Sequence, residues 1–170
     1  MIKMFGLAAS TLALAACNMV PGSSAPTATA TLRPASGSEV QGQLTFTQVG
    51  SNRVRVTGDV TGPSGTKGFH IHEKGDCSAT DATSAGGHFN PAKAKHGSSP
   101  TTGHPGDMGN LMFSDAGRAT IDTTFDGLSV SRDPANGIVG RAVIVHMQTD
   151  DLKTDPTGNA GGRAACGVIT

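Results

Sequence analysis

Residues 40–60 read VQGQLTFTQVGSNRVRVTGDV, and this stretch decides the fold class. Apolar residues such as Leu44 and Phe46 alternate with polar ones, so their side chains fall on one face of an extended chain. A Gly-Ser-Asn turn signal at 50–52 then leads into a second alternating run at 53–60. Two alternating runs around such a turn predict a β-hairpin.

Short β-favouring runs continue along the rest of the chain. They lie at 69–73, 110–113, 119–124 and 139–145. No segment has the apolar period of an amphipathic helix, and the 24 glycines among 170 residues are typical of a fold rich in turns. We therefore predict an all-β protein, a Greek-key β-sandwich or barrel of about eight antiparallel strands. The long loops left at 74–109 and 147–163 are candidates for function.

Composition limits the size and the partners of this domain. The 170 residues correspond to one ordinary domain, which we place at 39–170, after a flexible tether at 17–38 that is rich in Pro, Ser, Thr, Ala and Gly. Basic and acidic residues number 13 each, and Trp and Tyr are absent. Nucleic-acid binding uses a basic surface or an aromatic stacking platform, so we expect no nucleic-acid partner.

The amino terminus predicts export. Residues 1–16 have the layout of a signal peptide, because Lys3 precedes an apolar stretch that ends in small residues and is too short to span a bilayer permanently. The end of this stretch and Cys17 resemble the lipobox of bacterial lipoproteins, in which the cysteine is lipidated; an ordinary cleaved signal beside an incidental cysteine is the alternative. Asn18 favours outer-membrane sorting in that family. We therefore expect a periplasmic protein that is anchored to the outer membrane through lipidated Cys17.

The three cysteines fit the same compartment. With Cys17 lipidated, Cys77 and Cys166 are the one possible pair. Export to an oxidising compartment favours a disulfide between them over two unpaired buried thiols.

Two of the six histidines lie in one predicted strand. His70 and His72 are two residues apart, so both side chains leave the same face of the strand and can bind one metal ion. A solvent-facing pair is the alternative. His146 ends the apolar run 142–145, where a lone histidine is usually structural.

The other three histidines lie in the first predicted loop. His88, His96 and His104 recur at intervals of eight residues, and Asp107 follows three residues later. Three imidazoles and one carboxylate make a four-coordinate set that suits structural zinc, whereas exposed loop histidines are the alternative.

The joint pattern is more specific than any single motif, because it resembles the copper–zinc superoxide dismutase family along most of 39–170. The matching segments are GFHIHE at 68–73, GHFNP at 87–91, KHG at 95–97, HPGDMGN at 104–110, GRAVIVH at 140–146, DDL at 150–152 and TGNAGGRAACGVI at 157–169. The resemblance implies a superoxide dismutase that converts the superoxide anion to O₂ and H₂O₂. It also leaves open a homodimer, since the family includes dimers through different faces as well as monomers.

Carried over by position, the resemblance implies one copper and one zinc ion per chain. It gives copper the ligands His70, His72, His88 and His146, and zinc the ligands His88, His96, His104 and Asp107. His88 would be shared between the two ions and would relay a proton. Asp150 would link a copper histidine to a zinc histidine, Arg163 would guide the anion, and Thr157 would narrow the channel.

A metal-binding or copper-buffering envelope protein without dismutase activity is the main alternative function. All seven ligands and Arg163 are present, which favours the enzyme. Two features depart from the family pattern. Pro105 stands at a position that is usually apolar and not proline, and the second loop has too many aspartates to be an evident funnel for anions. Candidate steering cations are Lys74, Lys93, Lys95 and Lys153.

Overall fold

The computed structural model describes residues 24–170, so the predicted signal peptide and Cys17 lie outside the described residues. The strands are β1 Thr27–Pro34, β2 Gln41–Gly50, β3 Arg53–Thr61, β4 Gly65–His72, β5 Asp107–Phe113, β6 Arg118–Asp126, β7 Ala142–His146 and β8 Arg163–Val168. Within the described range the helical structure is one short 3₁₀ turn, Thr83–Ala85, and no helix is long and apolar enough to cross a membrane.

The eight strands form one antiparallel sheet in the order β5-β4-β7-β8-β1-β2-β3-β6. The two strands at the ends of this order, β5 and β6, are consecutive in the chain and are joined by a tight turn at 114–117, so the sheet curls into a nearly closed barrel. β4 pairs with β7, and β3 pairs with β6, across intervening strands of the chain, which is Greek-key connectivity. The predicted Greek-key fold is confirmed, as is the hairpin between β2 and β3.

The first strand corrects the sequence prediction of a flexible tether over 17–38. β1 pairs with β2 on one side and with β8 on the other. Its alternate residues Ala28, Ala30 and Leu32 are buried, while the threonines between them are exposed. The tether prediction is wrong for this strand, because small alanines at the inward positions make a weak hydrophobic alternation. The folded domain begins at β1, ahead of the predicted boundary at residue 39.

Strands β4 and β7 have an apolar inner face and a histidine-bearing outer face. Ile71 of β4 and Val145 of β7 belong to the barrel core. Because side chains alternate along a strand, His70 and His72 project from the outer surface of the barrel, beside His146 at the end of β7. The histidines therefore lie outside the barrel core.

Two long loops cover this outer surface. Loop A comprises residues 73–106 and loop B comprises residues 147–162. The histidines on β4 and β7 are fully buried because these loops lie over them. Both loops were predicted, although residues 107–109 belong to β5. The strand predicted from residue 139 begins at 142, after Gly140 with φ +85°.

A disulfide fastens loop A to the barrel. Cys77 of loop A is bonded to Cys166 of β8, which confirms the predicted pair. Beside the bond, Ala82 and Ala85 of loop A pack with Ile144 on the outer surface of the sheet. Loop A is thus held against the strands that carry the histidines.

Candidate metal centre

A first group of potential metal ligands joins two strands to loop A. Its members are His70, His72, His88 and His146, the residues that the family resemblance assigned to copper. Each offers a ring nitrogen, and these nitrogens lie within 4.8 Å of one another. His72 Nε2 is 3.4 Å from His146 Nε2, and the ring centroids of His70 and His88 are 4.1 Å apart. An isolated backbone bridge between His72 and His88 brings loop A to the end of β4.

A second group converges on one carboxylate oxygen. Asp107 Oδ1 lies 2.9 Å from His88 Nδ1, 3.1 Å from His96 Nδ1 and 3.1 Å from His104 Nδ1. Asp107 Oδ2 instead accepts hydrogen bonds from the backbone N–H groups of Gly97 and His104. The backbone thus holds one oxygen of Asp107 while the other faces three imidazoles. These are the four residues that the sequence assigned to zinc.

His88 belongs to both groups and faces them with different nitrogens. Its Nδ1 contacts Asp107 in the second group. Its Nε2 is buried and has no hydrogen-bond partner. One imidazole therefore presents an atom to each group.

Orphaned ring nitrogens show that both groups fit metal ions. His70 Nδ1, His88 Nε2 and His96 Nδ1 are buried without a hydrogen-bond partner; His96 Nδ1 is near Asp107 but lacks hydrogen-bond geometry. Leaving buried polar atoms unpaired costs about 1–3 kcal/mol each. A bound cation would satisfy these lone pairs. Imidazole suits copper and zinc alike, and three histidines with one aspartate suit tetrahedral zinc.

The protein keeps three of the four rings in the first group neutral, those of His72, His88 and His146. Burial lowers the pKa of His88 to about 4 and the pKa of His146 to about 3. Burial also holds the pKa of His72 well below its usual value, and the neighbouring imidazoles add to the effect. These rings are therefore unprotonated at neutral pH, which is the state that binds a metal.

A β-bulge in β5 brings two side chains to the same site. His70 pairs with Asp107 and Gly68 pairs with Asn110, so the single residue between the pairs on β4 lies opposite two residues on β5. The extra residue is Gly109, whose φ of +74° suits glycine. Without the bulge, residues three apart would leave opposite faces of the strand. With it, Asp107 and Asn110 both reach the loops outside the barrel.

Asp150 of loop B lies between the two groups. Its Oδ2 is 2.7 Å from His70 Nε2, and its Oδ1 is 2.9 Å from His96 Nε2. Burial would raise the pKa of Asp150, but the hydrogen bond to His70, together with those to Leu152 and His96, keeps it below its usual value. An ionised Asp150 accepts an N–H hydrogen bond from Nε2 of each ring, which leaves Nδ1 of both rings free to bind a metal.

Arg163 is held beside the first group by backbone carbonyls. Its guanidinium donates to the carbonyl oxygens of Ala82 and Gly86 in loop A. The Gly86 carbonyl also lies 2.8 Å from His72 Nδ1, so one peptide orients both the arginine and a histidine. Sequence reasoning missed these two carbonyls, because main-chain groups leave no mark in residue identity.

A cleft of about 460 Å³ opens beside His88, the residue shared by the two groups. Its lining includes His88, Lys93, Lys95, Asp155 and Thr157. Thr157 lines this cleft, and two of the four candidate steering lysines, Lys93 and Lys95, line it as well. Lys74 instead lines a neighbouring pocket.

Two more residues of the site carried no signal in the sequence. Asn110 makes two hydrogen bonds to the backbone of Asp150. Asp155 accepts a hydrogen bond from the backbone N–H of His96. Each lies far in sequence from the group it contacts, so neither could be assigned without the fold.

The barrel and the shared histidine define a class of protein, an all-β metalloprotein with two adjoining metal sites that have one ligand in common. A profile of the family described as copper/zinc superoxide dismutase (SODC) matches residues 40–169. The chain belongs to the copper/zinc superoxide dismutase family.

Individual relatives agree with this assignment. A superoxide dismutase (Cu-Zn) of Schizosaccharomyces pombe is 44% identical over 142 residues, which are 78% of this chain and 90% of the relative. Superoxide dismutase (Cu-Zn) 2 of Brassica juncea is 41% identical over 138 residues, which are 76% of this chain and 89% of the relative. A crystal structure of the clock protein EA4 is 44% identical, with a TM-score of 0.75, and covers 89% of this chain and 98% of that one.

Proposed function

We propose that the protein is a copper- and zinc-dependent superoxide dismutase. It converts two superoxide anions and two protons to O₂ and H₂O₂. Membership of the family and relatives that bear this name support the proposal. So do the two adjoining ligand groups, each of which can hold one ion.

Each group is matched to one metal by its donors. The first group, four imidazoles, would hold copper, and the second, three imidazoles and Asp107, would hold zinc. Copper supplies a one-electron couple between Cu(II) and Cu(I), whereas zinc supplies a positive charge without redox chemistry. The protein has to bring a small anion and protons to this site.

The observation that carries the proposal is the double role of His88. Its Nδ1 is fixed in the second group by Asp107, so its buried Nε2 faces the first group without a protein partner. When this Nε2 is not bound to a metal ion, its lone pair would take up a proton from solvent and give it to the peroxide product.

Arg163 and Thr157 act on the substrate. The Arg163 guanidinium remains a cation and has planar donors that suit a small anion, and the carbonyls of Ala82 and Gly86 fix its direction. Thr157 lines the same cleft as His88 and narrows the approach to it.

The test is to measure metal content and dismutase activity on the same sample of the mature protein. We expect one copper and one zinc ion per chain together with superoxide dismutation. A fully metallated protein that does not dismutate superoxide would contradict the proposal and would leave a metal-binding module.

We further propose that the protein is exported, lipidated at Cys17 and held at the outer membrane facing the periplasm. Support comes from the sequence of 1–16 and the cysteine that follows. The test is the mass of the mature chain made in a Gram-negative host, with Cys17→Ser as control. We expect an acylated chain that begins at Cys17 and fractionates with the outer membrane. An unmodified chain that begins elsewhere would refute the anchor.

A further inference from the structure

The side chain of Asn110 grips the backbone of Asp150 at two points. Its Nδ2 donates to the Asp150 carbonyl at 3.0 Å, and its Oδ1 accepts from the Asp150 N–H at 2.8 Å. Asn110 is part of β5 and is paired with Gly68 of β4, so these two hydrogen bonds connect loop B to the sheet. Only an amide offers a donor and an acceptor in this geometry.

The Asp150 carboxylate is closely surrounded by its hydrogen-bond partners and by Gly158. Its two oxygens contact His70 and His96, and Oδ1 also accepts the Leu152 N–H at 2.7 Å. A Cβ added to Gly158 would lie 1.8 Å from Asp150 Oδ1. A small shift of the Asp150 backbone would therefore break contact with one of the two rings.

We propose that Asn110 is a positioning residue of the metal centre. By fixing the Asp150 backbone, it places the Asp150 carboxylate within hydrogen-bond distance of a proposed copper ligand, His70, and a proposed zinc ligand, His96. It thereby fixes the orientation of both rings and leaves the Nδ1 atom of each free for a metal. The inference rests on the proposed metal assignment but not on dismutase activity.

Asn110 acts on both metals through Asp150. Loss of a direct partner of a metal-binding histidine typically weakens metal affinity by about 10–100-fold. Asn110 is one contact further away, so we expect the lower end, about tenfold, for zinc. The electronic and EPR spectra of bound Cu(II) should change as well, because the His70 ring loses its fixed orientation.

The experiment compares Asn110→Ala with the parent and with a matched control, Thr149→Val. Thr149 neighbours Asp150 in loop B, and its hydroxyl donates to the Thr66 carbonyl at 3.0 Å, so the control removes another tie between loop and sheet without touching Asp150. Zinc affinity is measured by competition with a chromophoric chelator, and Cu(II) is measured by its spectra. We expect Asn110→Ala alone to lose zinc affinity and to change the Cu(II) spectra.

Other outcomes would overturn the proposal. Parent-like zinc affinity and spectra in Asn110→Ala would leave Asn110 as a simple loop tie, and so would equal losses in Thr149→Val. Should Asn110→Ala not fold, Asn110→Ser decides by the same two measurements, because a serine hydroxyl cannot span both backbone groups. A parent that binds both metals without dismutation would defeat the proposed function but not this inference.

Discussion

The two metal groups of this protein are built from different parts of the fold. Three of the four residues in the first group, the proposed copper group, lie on strands, and the backbone hydrogen bonds among β4, β7 and β8 fix them. Three of the four ligands in the zinc group lie on loop A, and only Asp107 lies on a strand. The comparison teaches that strands fix three of the four residues in the copper group and loop A supplies the fourth, His88, whereas the zinc group depends mostly on the conformation of loop A.

The largest effect is expected when one ligand in each group is replaced. We expect His146→Ala to abolish dismutase activity while zinc remains bound, because the redox ion loses a ligand and the loop group is intact. We expect His104→Ala to lose zinc but to keep part of the activity, because the strand group persists. Activity and metal content of both variants provide the measurement. Full activity in His146→Ala would contradict the site assignment.

Removing zinc should make loop A accessible to protease and leave the barrel strands paired. Lys93 and Lys95 are exposed and provide trypsin sites within the loop. Zinc at about 100 times its Kd stabilises the bound form by about 2.7 kcal/mol, so cleavage at these lysines should slow about 100-fold on zinc addition. The measurement is limited proteolysis followed by mass spectrometry. Equal protection with and without zinc would mean that loop A is held without the ion.

Acid should weaken the metal-free protein through the copper group. The folded-state pKa of His88 is about 4 and that of His146 about 3, below the ordinary value of 6.5. The unfolded chain therefore takes up protons first, and stability is lost as pH falls from 6.5 towards the folded values. At pH 5 the loss is about 2 kcal/mol for each ring. Denaturant unfolding at pH 7 and pH 5 measures it.

The matched control for this pH effect is the metal-free His146→Ala protein. It should lose less stability between pH 7 and pH 5 than the parent, by about the share of one ring. The same pH dependence in both proteins would show that His146 is not held neutral by the fold.

The smallest effect is expected outside both groups, at Arg163. We expect Arg163→Ala to lower the rate at low salt about tenfold and to weaken its dependence on ionic strength, because electrostatic guidance is screened by salt. Arg53→Ala removes the same charge from a surface ion pair with Asp126 and is the control. Stopped-flow rates at several salt concentrations provide the measurement. An unchanged rate in Arg163→Ala would remove this residue from the mechanism.

Local chain geometry explains what could be predicted from the sequence. His70 and His72 share a face because strand side chains alternate, and this needs no knowledge of the remaining fold. The same alternation failed at β1, where Ala28 and Ala30 are too small to mark an inner face. The strand signal depends on the size of the inward residues.

Other parts of the site depend on contacts between distant segments. The bulge at Gly109 turns Asn110 towards Asp150, yet neither residue carries a motif for that contact. The carbonyl of Gly86 orients Arg163, and any residue type would offer a carbonyl there. Such features follow from the tertiary structure and could not be predicted from residue types.

The early start of β1 limits how far the domain can travel from a membrane. If Cys17 bears the lipid, the segment between it and β1 is 18–26 rather than the whole predicted tether. A fully extended chain spans at most about 3.3–3.6 Å per residue, so this segment reaches roughly 30 Å. The catalytic domain would then be confined to a thin layer next to the bilayer and would react with superoxide chiefly in that layer.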